Sequence, residues 1–157
     1  MFKNPFVKKI LSALGVTVLG YVLLNLTFIF DALFQGLLRL IFRLITPVDL
    51  MMTLNWFPSM MHGLFAIVTG LLSWFVFRSK LSVFLKAVYL PVPVAVGLAT
   101  LGIFLYPWQA AVYSLGVLAC LGVLYHLYRT KQPWLYYFAV ILTSLTLAIF
   151  TLSGGEI

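Results

Sequence analysis

Five stretches of about 20 residues without a single charged side chain occupy most of this chain, and no other feature limits its fold so strongly. They run from Ile10 to Phe30, Phe57 to Phe77, Ala87 to Tyr106, Trp108 to Tyr128, and Pro133 to about Leu152. At about 1.5 Å per helical residue, such a run matches the roughly 30 Å of a bilayer's hydrocarbon core. Inside lipid every backbone polar group needs a partner within the protein, so a helix is the natural form for each run.

Composition agrees. Of the 157 residues, 64% are hydrophobic and 8% charged, whereas soluble domains are roughly one quarter charged. A water-soluble fold of this size could not hide that much apolar surface. The chain is long enough for one domain, and we expect a single polytopic membrane domain over residues 1–157.

The net charge is +7. The basic residues sit in small groups between the apolar runs rather than in a patch interleaved with aromatics, which argues for a membrane and against nucleic acid. With the N-terminus inside, Lys3, Lys8, Lys9, Arg78, Lys80, Lys86, Arg129 and Lys131 all fall on the inner side. Arg39, Arg43, Asp31, Asp49 and Glu156 fall on the outer side. That bias follows the positive-inside rule and predicts a cytoplasmic N-terminus and an extracytoplasmic C-terminus, in the cytoplasmic membrane of a bacterium or archaeon. Lys3, Lys8 and Lys9 resemble the start of a signal peptide. The first run is too long for one, however, and Asp31-Ala32-Leu33-Phe34-Gln35 offers no small-residue cleavage site, so an uncleaved anchor is expected. Trp56, Trp74, Trp108, Tyr128 and Trp134 fall near run ends, at headgroup depth.

Between the first two runs lies an apolar connection. Gln35, Arg39 and Arg43 recur every fourth residue, with Thr46 on the same stripe, and Pro47 is placed to end a helix. Two geometries fit: a separate amphipathic helix over about 32–46 lying in the outer interface, or a continuation of the first span. The separate helix is the favoured expectation. The fold class is therefore all-α, an integral membrane bundle of five transmembrane helices plus one extracytoplasmic interfacial helix.

Pro91 and Pro93 near the start of the third run predict a kink, or a broken helix that exposes carbonyls. Gly15 and Gly20 in the first run, Ala95, Gly97, Ala99 and Gly102 in the third, and Gly116, Ala119 and Gly122 in the fourth predict close helix approaches.

Chemistry-bearing residues are few. His62 and His126 lie near opposite ends of the bundle, roughly 18 Å apart in depth, too far to share one metal ion or haem. No zinc-protease His-Glu-x-x-His, nucleophile elbow, Cys-x-x-Cys or phosphate loop occurs, and no cofactor is implied. Cys120 has no second thiol and reads as a packed apolar group. Asn25, Asp31, Gln35, Arg39, Arg43, Asn55 and His62 could converge at the outer leaflet, and they form the candidate ligand-binding set. The favoured function is a non-enzymatic accessory or structural subunit of a membrane or envelope complex. Its expected partners are membrane lipids and either further copies of the chain or a larger membrane complex. The alternatives are a transport or lipid-binding component with an outer-leaflet site for an anionic or lipid ligand, and a membrane enzyme acting on a lipid or quinone through His62.

Overall fold

The computed structural model describes residues 5–45 and 56–153, apart from the side chain of Leu152. The described chain forms six helices: α1 (Pro5–Ile45), α2 (Phe57–Arg78), α3 (Val83–Tyr89), α4 (Pro91–Phe104), α5 (Gln109–Arg129) and α6 (Trp134–Leu152). Counting α3 and α4 as one interrupted rod, five helical units are long and apolar enough to cross a membrane.

Segment 32–45 does not form the separate interfacial helix expected for it. It is the last third of α1, a single helix of 41 residues. Nothing in the sequence interrupts it: there is no proline between Pro5 and Pro47, and Gly36 stands alone among helix formers. Asp31, the group most able to bend the helix, is turned inward and partnered. At about 1.5 Å per residue α1 is about 60 Å long, nearly twice the length of α2. Its far end remains attached through an edge-on contact between Phe42 and Phe57, ring centroids 5.5 Å apart. Thr46, Pro47 and Asn55 lie outside the described residues.

The third unit starts earlier than the uncharged run suggests. Ser82 caps it by accepting from Leu85 N–H at 3.3 Å, so Lys86 is helical and not a loop residue. Lys86 tolerates that place because its ammonium donates to the Phe77 carbonyl at 2.8 Å, near the C-terminal end of α2. The prolines produce a joint, not an unwound stretch. Leu90 keeps helical angles (φ −56°, ψ −34°), its N–H reaches Lys86 O at 3.0 Å, and Val94 N–H reaches Leu90 O at 3.4 Å. Pro91 occupies the first turn of α4, where a missing N–H costs least.

α4 is the centre of the bundle, packed against α1, α2, α5 and α6. Its buried face of Val92, Ala95, Val96 and Ala99 is small, which lets four neighbours approach. Two glycines of α1 seat that helix against the same unit. A Cβ at Gly15 would come within 2.9 Å of the Phe84 ring, and one at Gly20 within 3.2 Å of Pro91 Cγ. By contrast, Gly97, Gly102 and Gly122 have nothing within 4 Å of the place a Cβ would take, and Gly116 only an ordinary contact with Leu98 at 3.7 Å, so among these glycines only Gly15 and Gly20 mark a close approach. α5 is peripheral, with only 6% of its span window buried, and leans on α4 and α6.

The helices alternate in direction, and one end of the bundle collects the basic groups. The core cluster of Val16, Ala87, Val88, Leu127, Tyr136 and Val140 brings together the matching ends of α1, α3, α5 and α6. Lys8, Lys9, Arg78, Lys80, Lys86, Arg129 and Lys131 belong to that end. There α5 closes with a Schellman motif: Gln132 N–H bonds to Leu127 O at 3.0 Å and Lys131 N–H to Tyr128 O at 3.1 Å. Lys131 takes the left-handed conformation (φ 50°) that such a motif usually gives to glycine, and Pro133 then opens α6.

Candidate functional site

Asp31 on α1, His62 on α2 and Thr100 on α4 meet near the opposite end of the bundle. Asp31 Oδ2 lies 3.2 Å from His62 Nδ1, and Thr100 Oγ1 lies 3.2 Å from His62 Nε2. Gln35, one turn beyond Asp31, donates from Nε2 to Asp31 Oδ1 at 3.0 Å. The His62 and Asp31 side chains are 6% and 12% exposed. Among the described residues this is the one carboxylate–histidine ion pair, and Phe65 packs on the imidazole with centroids 6.3 Å apart.

Helical spacing explains how three distant positions converge. Asp31 faces the bundle because Phe34 (three residues on) and Phe42 (eleven on) share its face and pack on Phe65 and Phe57 of α2. Thr100 lies one residue beyond the buried Ala99, and its hydroxyl folds back to Val96 O at 2.6 Å.

The Thr100 proton is committed to Val96 O, so Thr100 meets His62 as an acceptor and Nε2 carries hydrogen. Asp31 Oδ1 already accepts from Gln35, and one further proton lies between Oδ2 and Nδ1. Whichever atom holds that proton, the Asp31–His62 pair is electrically neutral as a unit and every polar atom in it is satisfied. No wholly buried side-chain nitrogen or oxygen among the described residues lacks a partner. A neutral, saturated network is the form in which ionisable groups survive in an apolar interior.

The order carboxylate, imidazole, hydroxyl is also that of a hydrolytic triad. Three features oppose that chemistry. Thr100 is positioned to accept from His62, whereas a nucleophile must donate to it. It sits inside α4, where backbone N–H groups are consumed by the helix and none is free to stabilise an oxyanion. The cavities flanking the triad are lined by other residues, Phe30, Phe65 and Thr69 on one side and Ser59, Gly63 and Phe104 on another. The arrangement joins three helices; it does not present a reactive atom.

The remaining candidates do not join this cluster. Asn25 is exposed and its amide donates to Tyr21 O, 2.8 Å away on its own helix. Arg39 and Arg43 are exposed on the far third of α1. Asn55 lies outside the described residues. Of the expected set, the structure brings together Asp31, Gln35 and His62. Thr100 was missed, because a threonine in an apolar run gives no signal of its own. Two other polar links were equally silent in sequence: Ser73 with the Tyr89 hydroxyl at 3.1 Å, and Cys120 Sγ with Ser144 Oγ at 3.1 Å. Among the described residues, no three His, Cys, Asp or Glu side chains cluster in a way that could hold a metal ion.

No protein-family model, curated protein or solved structure matches the chain.

Proposed function

We propose that this chain is an integral membrane protein acting without catalysis of its own, as an accessory subunit of a membrane or envelope complex. The observation that carries this reading is the overhang of α1. His62 lies five residues into α2 and is level with Asp31, so α2 begins about five residues' rise above that level. α1 continues for fourteen residues past Asp31; Phe42 on this stretch meets Phe57, the first residue of α2, and the last three residues of α1 run about 5 Å beyond that contact. On that extension Leu40, Leu44 and Ile45 are 58%, 82% and 77% exposed, beside Arg39 and Arg43. An apolar helix end carrying two cations is suited to a partner's surface at the membrane border. The internal triad, saturated and closed, supports a role in holding that arm in place.

In this reading the basic end faces the cytoplasm and the arm lies on the extracytoplasmic side, as the distribution of Lys and Arg favours. The test is a photo-crosslinking amino acid placed at Leu40 and at Leu44 in intact membranes, with Leu118 of α5 as the lipid-facing control. We expect a protein adduct of defined mass at the first two positions, weakened when Arg39 and Arg43 are both changed to Glu. Lipid adducts alone at all three positions would overturn the subunit reading. That outcome favours the second reading, a lipid-binding component in which Arg39 and Arg43 meet anionic headgroups; no carboxylate among the described residues pairs with either arginine.

A further inference from the structure

The basic end of the bundle holds a cavity of about 390 Å³ into which Lys86, His126, Gln132 and Tyr136 all open. These four groups come from α3, α5, the α5–α6 turn and α6. What they offer is donors. Lys86 spends one ammonium proton on Phe77 O and keeps two. Gln132 is delivered by the Schellman turn, and its amide makes only a long 3.5 Å bond to Thr130 O. Neither ring nitrogen of His126 bonds to a described residue.

Tyr136 is the telling member. The residue is 7% exposed, within a packed core beside Leu127 and Leu135, yet its phenol has no hydrogen-bond partner among the described residues. A buried tyrosine hydroxyl ordinarily finds one. Since no wholly enclosed side-chain oxygen among the described residues lacks a partner, this oxygen keeps some open surface, and Tyr136 lines the cavity. An unpartnered donor in an apolar wall leaves room for an acceptor from a ligand.

Charge around the cavity is of one sign. Arg78, Lys80, Arg129 and Lys131 lie in the adjoining helix ends and turns, and the described residues contain one carboxylate, Asp31, engaged with His62 at the other end. The remaining wall is apolar, made by Phe77, Leu90 and Leu127. Cationic and neutral donors facing hydrocarbon at the end of membrane-length helices match a phosphate carried on acyl chains better than a free ion.

We propose that this cavity is a binding site for the phosphate of a net-anionic phospholipid headgroup. Lys86 and Tyr136 grip the phosphate, Gln132 and His126 flank it, and the first methylenes lie against Phe77 and Leu127.

Native mass spectrometry of the full chain, titrated with phosphatidylglycerol or phosphatidylcholine, tests this directly. We expect phosphatidylglycerol to bind at least about tenfold more tightly. Lys86→Gln should lower that affinity about tenfold while an amide can still cap Phe77 O, and Tyr136→Phe about threefold to tenfold while the ring keeps its packing. Phosphatidylcholine, whose choline cation would meet the surrounding lysines and arginines, should bind weakly to the unaltered chain and no more tightly to either variant. Millimolar inorganic phosphate should not displace the lipid. Equal affinity for the two lipids, full retention of phosphatidylglycerol binding by Tyr136→Phe, or displacement by inorganic phosphate would each overturn the proposal.

Discussion

Replacing Asp31 by Leu removes two bonds at once, the one it shares with the His62 imidazole and the one it accepts from the Gln35 amide. Gln35 can swing toward solvent, since it is only half-buried. His62 cannot: it is 5% exposed and hemmed by Phe65. It must either stay as an unpaired buried group or push α2 away from α1. Leaving a buried donor without its partner costs about 1–3 kcal/mol, and about 3–5 kcal/mol where the partner left behind is charged. We therefore expect Asp31→Leu to destabilise the bundle by about 3 kcal/mol, and His62→Leu by a similar amount. The double variant removes both groups and leaves neither orphaned, so it should cost less than the sum of the two by about 1.5 kcal/mol. That value lies at the upper end for polar pairs within membranes, where the average is about 0.6 kcal/mol because unfolded helices also find partners. Asp31→Asn keeps an acceptor in place and should cost about 1 kcal/mol or less. Reversible unfolding in mixed micelles, followed by circular dichroism, gives all four values. Strict additivity of the two leucine substitutions, within about 0.5 kcal/mol, would refute the idea that the pair joins α1 to α2.

Packing at the proline joint makes a second prediction. Gly20→Val drives a branched side chain into Pro91 and should destabilise by about 1–3 kcal/mol, whereas Gly97→Ala, which has open space, should be neutral in the same unfolding assay. Lys131→Gly relieves a left-handed backbone and should stabilise the α5–α6 turn by about 1 kcal/mol, read as a higher melting midpoint; no gain would mean that the Lys131 side chain offsets that strain.

Much of the bundle could be read in the chain because its strongest signal, charge-free runs of membrane length, does not depend on tertiary contacts. The ends of α2, α5 and α6 fall within a few residues of the expected borders, since Arg78, Arg129 and Pro133 limit them chemically. Reading charge alone was misleading at Lys86. A long side chain can place its charge at a neighbouring helix's last carbonyls, so an internal lysine need not end a helix. The 32–45 segment was ambiguous for a related reason. Its periodicity predicts a helix whether or not that helix is continuous with the one before it, and only the inward pairing of Asp31 with His62 decides between the two.

The site was half legible. Asp31 and His62 stood out as ionisable groups beside apolar runs, and Gln35 by its spacing of one turn from Asp31. Thr100 and Tyr136 could not be found that way. A hydroxyl in a membrane helix is usually satisfied by its own backbone, as Thr17, Thr143 and Thr146 are. Whether one instead joins a network, or faces a cavity unpartnered, depends on which helices are neighbours. Arg39 and Arg43 drew attention by charge, yet the continuous α1 carries them away from Asp31 and His62.

The account rests on five crossings with the basic end inside. Single cysteines in a Cys120→Ala background, placed at Lys80, Lys131, Tyr106 and Arg43 and probed in intact cells with a membrane-impermeant maleimide, test it most directly. All four positions are exposed. Tyr106 and Arg43 should label from outside, while Lys80 and Lys131 should label only after the membrane is opened. Labelling of all four from the same side would contradict the five-span account.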